Sequence, residues 1–202
     1  MPSQIAFETI SRRNSSELQA IVDRYAKGQI TPEEFGDQFY DALVTAHTDA
    51  YGAGLKYGDS QLDPLVIQSE AAKFGRAQAD SENEWLDKFV ADLENGRYLD
   101  SDGNLRVDAI SSRADLYNAK LRASGGQGWV DASAANDPQE EFTWVMGGER
   151  HCHDCPRLAA LSPYKVGELF TTPGAGDCEC LGNCNCYLVR SSDGKSSFKP
   201  AA

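Results

Sequence analysis

His151-Cys152-His153-Asp154-Cys155, followed 22 residues later by Cys178-Glu179-Cys180-Leu181-Gly182-Asn183-Cys184-Asn185-Cys186, holds every cysteine of this 202-residue chain. The 151 residues before Cys152 contain no thiol. Zinc is bound tetrahedrally by thiolates that two loops present in short-spaced groups, and a C-x2-C followed by a second close-set group has that form. Four ligands complete one site, so six cysteines and the neighbouring His151 and His153 leave a surplus. The expected set is Cys152, Cys155, Cys180 and Cys184. The first two share one tight turn, and the last two flank Leu181-Gly182-Asn183, where Gly182 is free to take a positive φ. Cys178 and Cys186 are the alternates, Cys186 because it also forms a close pair with Cys184. A two-zinc cluster with bridging thiolates is arithmetically open, but one structural zinc is the expectation.

Three disulfides are the competing reading, with 15 connectivities available to six cysteines. They need an oxidising compartment. The start Met1-Pro2-Ser3-Gln4-Ile5-Ala6-Phe7-Glu8 has no positive charge followed by an apolar core, so folding in a reducing cytosol is expected.

Upstream of the cysteines, Glu141-Phe142-Thr143-Trp144-Val145-Met146 alternates and is rich in β-formers, which predicts a strand that Gly147-Gly148 turns into the first cysteine pair. Downstream, Tyr187-Leu188-Val189-Arg190 predicts a second strand, paired with the first beside the metal. So small a β-module cannot build a core alone, and the metal would stand in for one. Residues 141–190 are therefore read as a Cys-rich zinc module, and 191–202, with Ser-Ser-Asp-Gly-Lys-Ser-Ser, as a flexible tail.

The remainder reads as helix. Residues 1–14 are expected to form an unfixed or docking N-terminal arm with an apolar patch at Ile5, Phe7 and Ile10, before a capping box at Ser16-Glu17-Leu18-Gln19. Leu18, Ile21, Val22 and Tyr25 mark one helical face that stops at Gly28. Thr31-Pro32-Glu33-Glu34 is the clearest helix start, and Phe35, Phe39, Leu43, Ala46 and Ala50 follow as a buried stripe expected to fray near Gly52 and Gly54. His47 lies on or beside that stripe with no partner in view. Asp63-Pro64 restarts the chain, and the pattern over 65–95 carries Ile67, Ala71, Phe74 and Ala77, then Trp85, Phe89, Val90 and Leu93. The polar run 78–84 between them is either a break or an exposed turn. A further helix over 107–121, with Ile110, Leu116 and Tyr117, is closed by Ser124-Gly125-Gly126. The expectation is a mostly α protein: a helical domain over 15–125, a linker over 126–140 anchored by Trp129 and Val130, and the β-containing zinc module.

Charge narrows the function classes. The net charge is −12, and residues 145–202 balance six bases against six acids, so the deficit lies in the first 144 residues, with 13 bases against 25 acids. Phosphate-backbone binding needs a basic face, so a general nucleic-acid binder is disfavoured. No apolar run approaches the 18 or so residues of a membrane span.

The run 142–155, with Leu158, Gly167-Glu168-Leu169, Pro173-Gly174 and Cys180-Leu181-Gly182-Asn183-Cys184-Asn185-Cys186, resembles the C-terminal signature of the phage Mu F-like minor head proteins, the head morphogenesis family. There an aromatic-rich strand precedes C-x2-C, and a closing C-x-C follows. The helical segments Ala26-Lys27-Gly28-Gln29-Ile30-Thr31-Pro32-Glu33-Glu34-Phe35 and Arg113-Ala114-Asp115-Leu116-Tyr117 are similar to that family in style. Asn185 stands where arginine is usual, and Cys178 is an extra thiol. The resemblance implies a non-enzymatic minor capsid protein of the virion, assembled in the host cytoplasm and associated with the portal or major capsid protein. It also leaves room for weak DNA contact inside the head.

Two other functions compete. A zinc hydrolase or nucleobase deaminase wants H-x-E and later P-C-x2-C, whereas this chain has Glu149-Arg150-His151 in reversed order directly before its cysteine pair. A nucleic-acid-binding zinc finger would draw on Arg150, Arg157, Lys165, Arg190, Lys195 and Lys199, which six acids match.

Overall fold

The computed structural model describes residues 2–59, 61–148, 152–180 and 184–199. Four long helices, α1 (Pro2–Ala26), α2 (Pro32–Gly58), α3 (Pro64–Glu94) and α4 (Val107–Asn136), precede strand β1 (Glu141–Val145), the short α5 (Asp154–Ala160), β2 (Tyr164–Lys165) and β3 (Tyr187–Arg190). The mostly α protein with a small C-terminal β-module is thus observed.

Local chemistry accounts for the clearest starts. Thr31 Oγ1 accepts from the Glu34 N–H at 3.1 Å, and the Glu34 carboxylate accepts from the Thr31 N–H at 2.8 Å. That reciprocal pair, with Pro32 in the first turn, satisfies donors the helix cannot use itself. Asp63 caps α3 by accepting from the Leu65 N–H. The polar run 78–84 does not break α3, because Ala79 and Glu82 stay in phase with the buried stripe Ala71, Gly75, Leu86, Phe89 and Leu93.

Helix α2 is the centre of the bundle and packs on α1, α3 and α4. Its Phe35 and Phe39 meet Phe89 edge-on at 5.3 and 5.9 Å, and Phe39 meets Tyr117 at 5.1 Å. Such edge-to-face contacts add to the apolar area these rings remove from water. Trp85, expected on the same face as Phe89, is instead 58 % exposed.

Three expectations are corrected. The arm over 1–14 is helical and continuous with the next helix from Pro2 onward. Phe7 is buried and stacks on Phe198 at 4.7 Å, which gives the first turns a docking surface. Ser16 therefore lies inside a helix, where its hydroxyl donates back to the Arg12 carbonyl instead of capping.

The stop at Ser124-Gly125-Gly126 and the linker over 126–140 are also helix, as far as Asn136. Neither glycine takes the positive φ that a helix terminator uses. Gly125, with Gly54 and Gly128, lets α2 and α4 touch instead. A Cβ on Gly128 would overlap the Tyr51 carbonyl oxygen, and one on Gly54 would overlap that of Gly125 and lie 2.8 Å from the Trp129 nitrogen. For the same reason α2 does not fray at Gly54 but runs on to Gly58.

The tail over 191–202 is the third correction, for its described part. Ser196 bridges Val189, and Phe198 is 2 % exposed against Phe7, Tyr57 and Gly125.

The sheet has the order β2-β1-β3, antiparallel throughout, with Phe142 opposite Tyr164 and Trp144 opposite Leu188. Phe142 and Trp144 point to the same buried face, as a period of two requires. That face meets the end of α4, where Trp129 lies edge-on to Phe142 at 5.2 Å. Arg190 ties the two parts together. Its guanidinium donates to Ser133 Oγ at 2.8 Å and to Asp193 Oδ2 at 2.6 Å, and it lies over the Trp129 ring.

Candidate metal centre

Both cysteine loops are held by backbone, and each is fastened to the other. Cys152 precedes α5, and Cys155 sits in its first turn, 1 % exposed, with Leu158 below it in the core. Cys178 and Cys180 follow turns at Gly174 and Gly176, both with positive φ. Cys184 and Cys186 lead directly into β3, and each is 1 % exposed. The His153 N–H donates to Glu179 Oε2, and the Glu179 N–H donates to Asp154 Oδ2, each at 3.1 Å. This reciprocal clip brings two segments some 25 residues apart into one site.

All six thiols are free. Cys152, Cys155, Cys178 and Cys180 place their sulfurs within 4.8 Å of one another, and so do Cys155, Cys184 and Cys186. Individual separations are 3.3 Å for Cys152–Cys155, 3.8 Å for Cys155–Cys180, 4.0 Å for Cys155–Cys184 and 3.2 Å for Cys178–Cys180. A disulfide measures about 2.0 Å, whereas metal–sulfur bonds of about 2.3 Å put tetrahedral thiolates about 3.8 Å apart. Every sulfur also has at least two sulfur neighbours, whereas disulfides gather them in twos. The cluster can hold a metal ion, and a donor set made only of thiolates selects thiophilic ions.

Of the expected ligands, Cys152, Cys155 and Cys180 share one group with the alternate Cys178. Cys184 lies in the adjoining group with Cys155 and the other alternate, Cys186. His151, the Glu149-Arg150-His151 run and the Leu181-Gly182-Asn183 turn fall outside the described residues.

Charge is shared unevenly among the thiols. Burial pushes Cys152 up, but hydrogen bonds from the side chains and backbone of Cys155 and Cys180 outweigh it and bring the thiol down to about 7. Burial, with Cys152 and Cys186 alongside, pushes Cys155 up to about 12. Cys180 is raised by burial and its sulfur neighbours, and Cys184 is lowered chiefly by a hydrogen bond from Cys186. Some thiols in such a cluster are thus poised to ionise while others keep their protons, and a divalent cation displaces those protons when it binds.

Arg122, which sequence reasoning passed over, supports this centre from α4, and Trp144, expected in the strand, supports it from β1. Arg122 is 7 % exposed, and its guanidinium donates to the Cys186 carbonyl at 2.9 Å. Burial pulls its pKa down, while negative charge on Cys184 and Cys186 holds it up. Trp144 lies beside Cys186, and its side chain acts to lower the Cys186 thiol pKa against the stronger upward push of Cys184 and burial. A buried arginine in an Arg-Ala-Ser-Gly-Gly segment expected to end a helix carried no sequence signal.

A second polar cluster lies inside the bundle. His47, fully buried, places Nδ1 2.7 Å from Ser124 Oγ and Nε2 3.4 Å from Glu82 Oε1. Glu82 is 1 % exposed, accepts from Gln78 and faces Lys120 at 3.6 Å. Burial pushes the Glu82 carboxyl up, but His47 first and then Lys120 and Gln78 bring it below the ordinary glutamate range. With Ser124 only 2 % exposed, the three side chains cross-link α2, α3 and α4.

Three cations of the C-terminal module lie beside acids of the same module. Arg190 is buried in its network with Asp193, Arg157 lies 3.7 Å from Asp154, and Lys195 lies 3.0 Å from Asp193. Among the described residues no helix is long and apolar enough to cross a membrane. Comparison of the chain with protein-family models, with curated proteins and with solved structures finds no match in any of the three.

Proposed function

We propose that the chain is a non-enzymatic assembly protein of a tailed-phage head, whose helical bundle docks on the portal or major capsid protein and whose cysteine module is clamped by structural zinc. The observation that carries this reading is the crowding of six sulfurs, each with at least two sulfur neighbours within 4.8 Å. A catalytic zinc keeps one position for water, whereas thiolates packed this closely can fill the coordination shell themselves. Zinc is the ion favoured by an all-thiolate tetrahedral site without redox work. The bundle and sheet share Trp129, Arg122 and Arg190, so the clamp fixes the helices as well as the module. The phage setting rests on the resemblance of residues 142–186 to the Mu F-like head proteins. Location in the virion and weak DNA contact inside the head belong to the same proposal. The experiment is co-sedimentation of the purified, metal-replete protein with portal oligomers and with empty procapsids from the phage or prophage that carries its gene, beside a gene deletion. Binding to either particle and defective heads in the deletion are expected. No binding and normal head assembly without the protein would overturn the assignment.

A further inference from the structure

The six thiols exceed the needs of one ion, and their arrangement says where the excess goes. Cys155 belongs to both close groups, 3.3 Å from Cys152 on one side and 4.0 Å from Cys184 on the other. Cys180 belongs to the first group, 3.2 Å from Cys178, and is also a near neighbour of the shared Cys155. The Cys155 and Cys180 sulfurs are 3.8 Å apart. That equals the edge of a tetrahedron built on metal–sulfur bonds of about 2.3 Å.

Building on the metal clamp argued above, we infer that the module holds two thiophilic divalent ions in one cluster, with Cys155 and Cys180 bridging, Cys152 and Cys178 completing the first shell, and Cys184 and Cys186 completing the second. Two tetrahedra that share an edge use six sulfurs and leave none over. A single ion would instead strand a pair of thiols in the interior. Cys184 and Cys186, each 1 % exposed, would be that pair if the first group alone bound metal. Cysteine can pack as a small apolar residue, so burial alone would not decide the matter. The sharing of Cys155 between both groups does. Charge points the same way: six thiolates around two divalent ions carry a double negative charge, and the buried guanidinium of Arg122, bonded to the Cys186 carbonyl at 2.9 Å, lies on the side where the second ion would sit. The C-x-C spacing of Cys184 and Cys186, at the entry to β3, suits two terminal ligands of one ion, and Cys152, beside α5, with Cys178 supplies those of the other.

The test is titration of the full chain, stripped of metal under reducing conditions, with cadmium, followed by sulfur-to-cadmium charge-transfer absorption, thiol titration and cadmium-113 NMR. Saturation at two cadmium ions per chain, all six thiols protected, and two cadmium resonances coupled to the β-protons of the same cysteines are expected. Saturation at one ion with two reactive thiols would overturn the cluster and leave the single structural site standing; no uptake would remove both. Cys155→Ser should release both ions, while Cys186→Ser should release one. Equal losses from the two variants would refute the bridging assignment, and if either fails to fold, the stoichiometry of the unaltered chain decides.

Discussion

Gly52 and Gly54 lie two residues apart in α2, and the same substitution should act on them in opposite directions. A Cβ on Gly52 would find Ala71 Cβ at 3.4 Å and Ile67 Cγ2 at 3.7 Å, ordinary van der Waals contact. Gly52→Ala then gains helix propensity and restricts the unfolded chain, worth about 0.5–1 kcal/mol. A Cβ on Gly54 would overlap the Gly125 carbonyl oxygen and press on the Trp129 nitrogen at 2.8 Å, both backbone atoms of α4 that cannot swing away. Relief requires α2 and α4 to separate, which also loosens Trp129 against Phe142. Overpacking of this kind costs about 3 kcal/mol, and the propensity gain returns about 1, so Gly54→Ala should lose about 2 kcal/mol. For a chain of this size 1 kcal/mol moves the midpoint by about 2–4 °C. Thermal unfolding followed by circular dichroism, at fixed metal content, should therefore show a rise of about 1–4 °C for Gly52→Ala and a fall of about 4–8 °C for Gly54→Ala. Equal midpoints, or a rise in both, would refute the close crossing of α2 and α4.

Three further outcomes are expected. Asp193→Asn leaves the buried Arg190 guanidinium without its carboxylate, and because Asp193 is itself partly solvated the loss should be about 1–3 kcal/mol in urea unfolding. Glu82→Gln should cost a similar amount at neutral pH by removing the charge that faces His47 and Lys120. Because the folded Glu82 carboxyl is depressed, its contribution is complete above the ordinary glutamate range and fades as pH falls below about 5 through the lower folded value. The gap between wild type and variant should narrow with acid, and a gap that widens would contradict the network. Chelation should abolish near-ultraviolet dichroism from Trp129 and Trp144 and open residues 146–190 to trypsin, while far-ultraviolet helicity persists, since the core of Leu18, Phe35, Phe39 and Phe89 has no contact with the cysteines.

Much of this architecture could be read from local chemistry. The Thr31 box and Asp63 cap announce helices because a few adjacent residues satisfy the first free N–H groups. The stripe from Phe35 to Ala50 and the alternation at Phe142 and Trp144 are carried by periodicity alone. Gly54 and Gly125 misled because a helix terminator and a helix crossing want the same thing, the absence of a Cβ. Only the partner helix tells the two uses apart. Helix α5, at seven residues, is too short to show a period. Phe198 docks a tail whose other residues are polar and small, so one aromatic against Phe7 outweighs the composition. The His47, Glu82 and Ser124 cluster joins three helices far apart in sequence, though Glu82 did carry a signal: it falls in phase with Ala71, Ala79, Leu86 and Phe89. At the cysteines, spacing pointed to the thiols that the fold brings within 4.8 Å of one another. How they divide depended on where the Glu179–Asp154 clip sets the second loop.

A thiolate-bound metal, on the proposal made above, organises the C-terminal module and through Arg122, Trp129 and Arg190 the end of the bundle. X-ray absorption on protein purified under reducing conditions without chelator tests it most directly, with metal and reactive thiols counted in the same sample. Bound zinc with a sulfur-only shell at about 2.3 Å, and thiols that react only after chelation, are expected. Metal-free protein that keeps the near-ultraviolet signature of Trp144, or a shell containing oxygen from water, would contradict it.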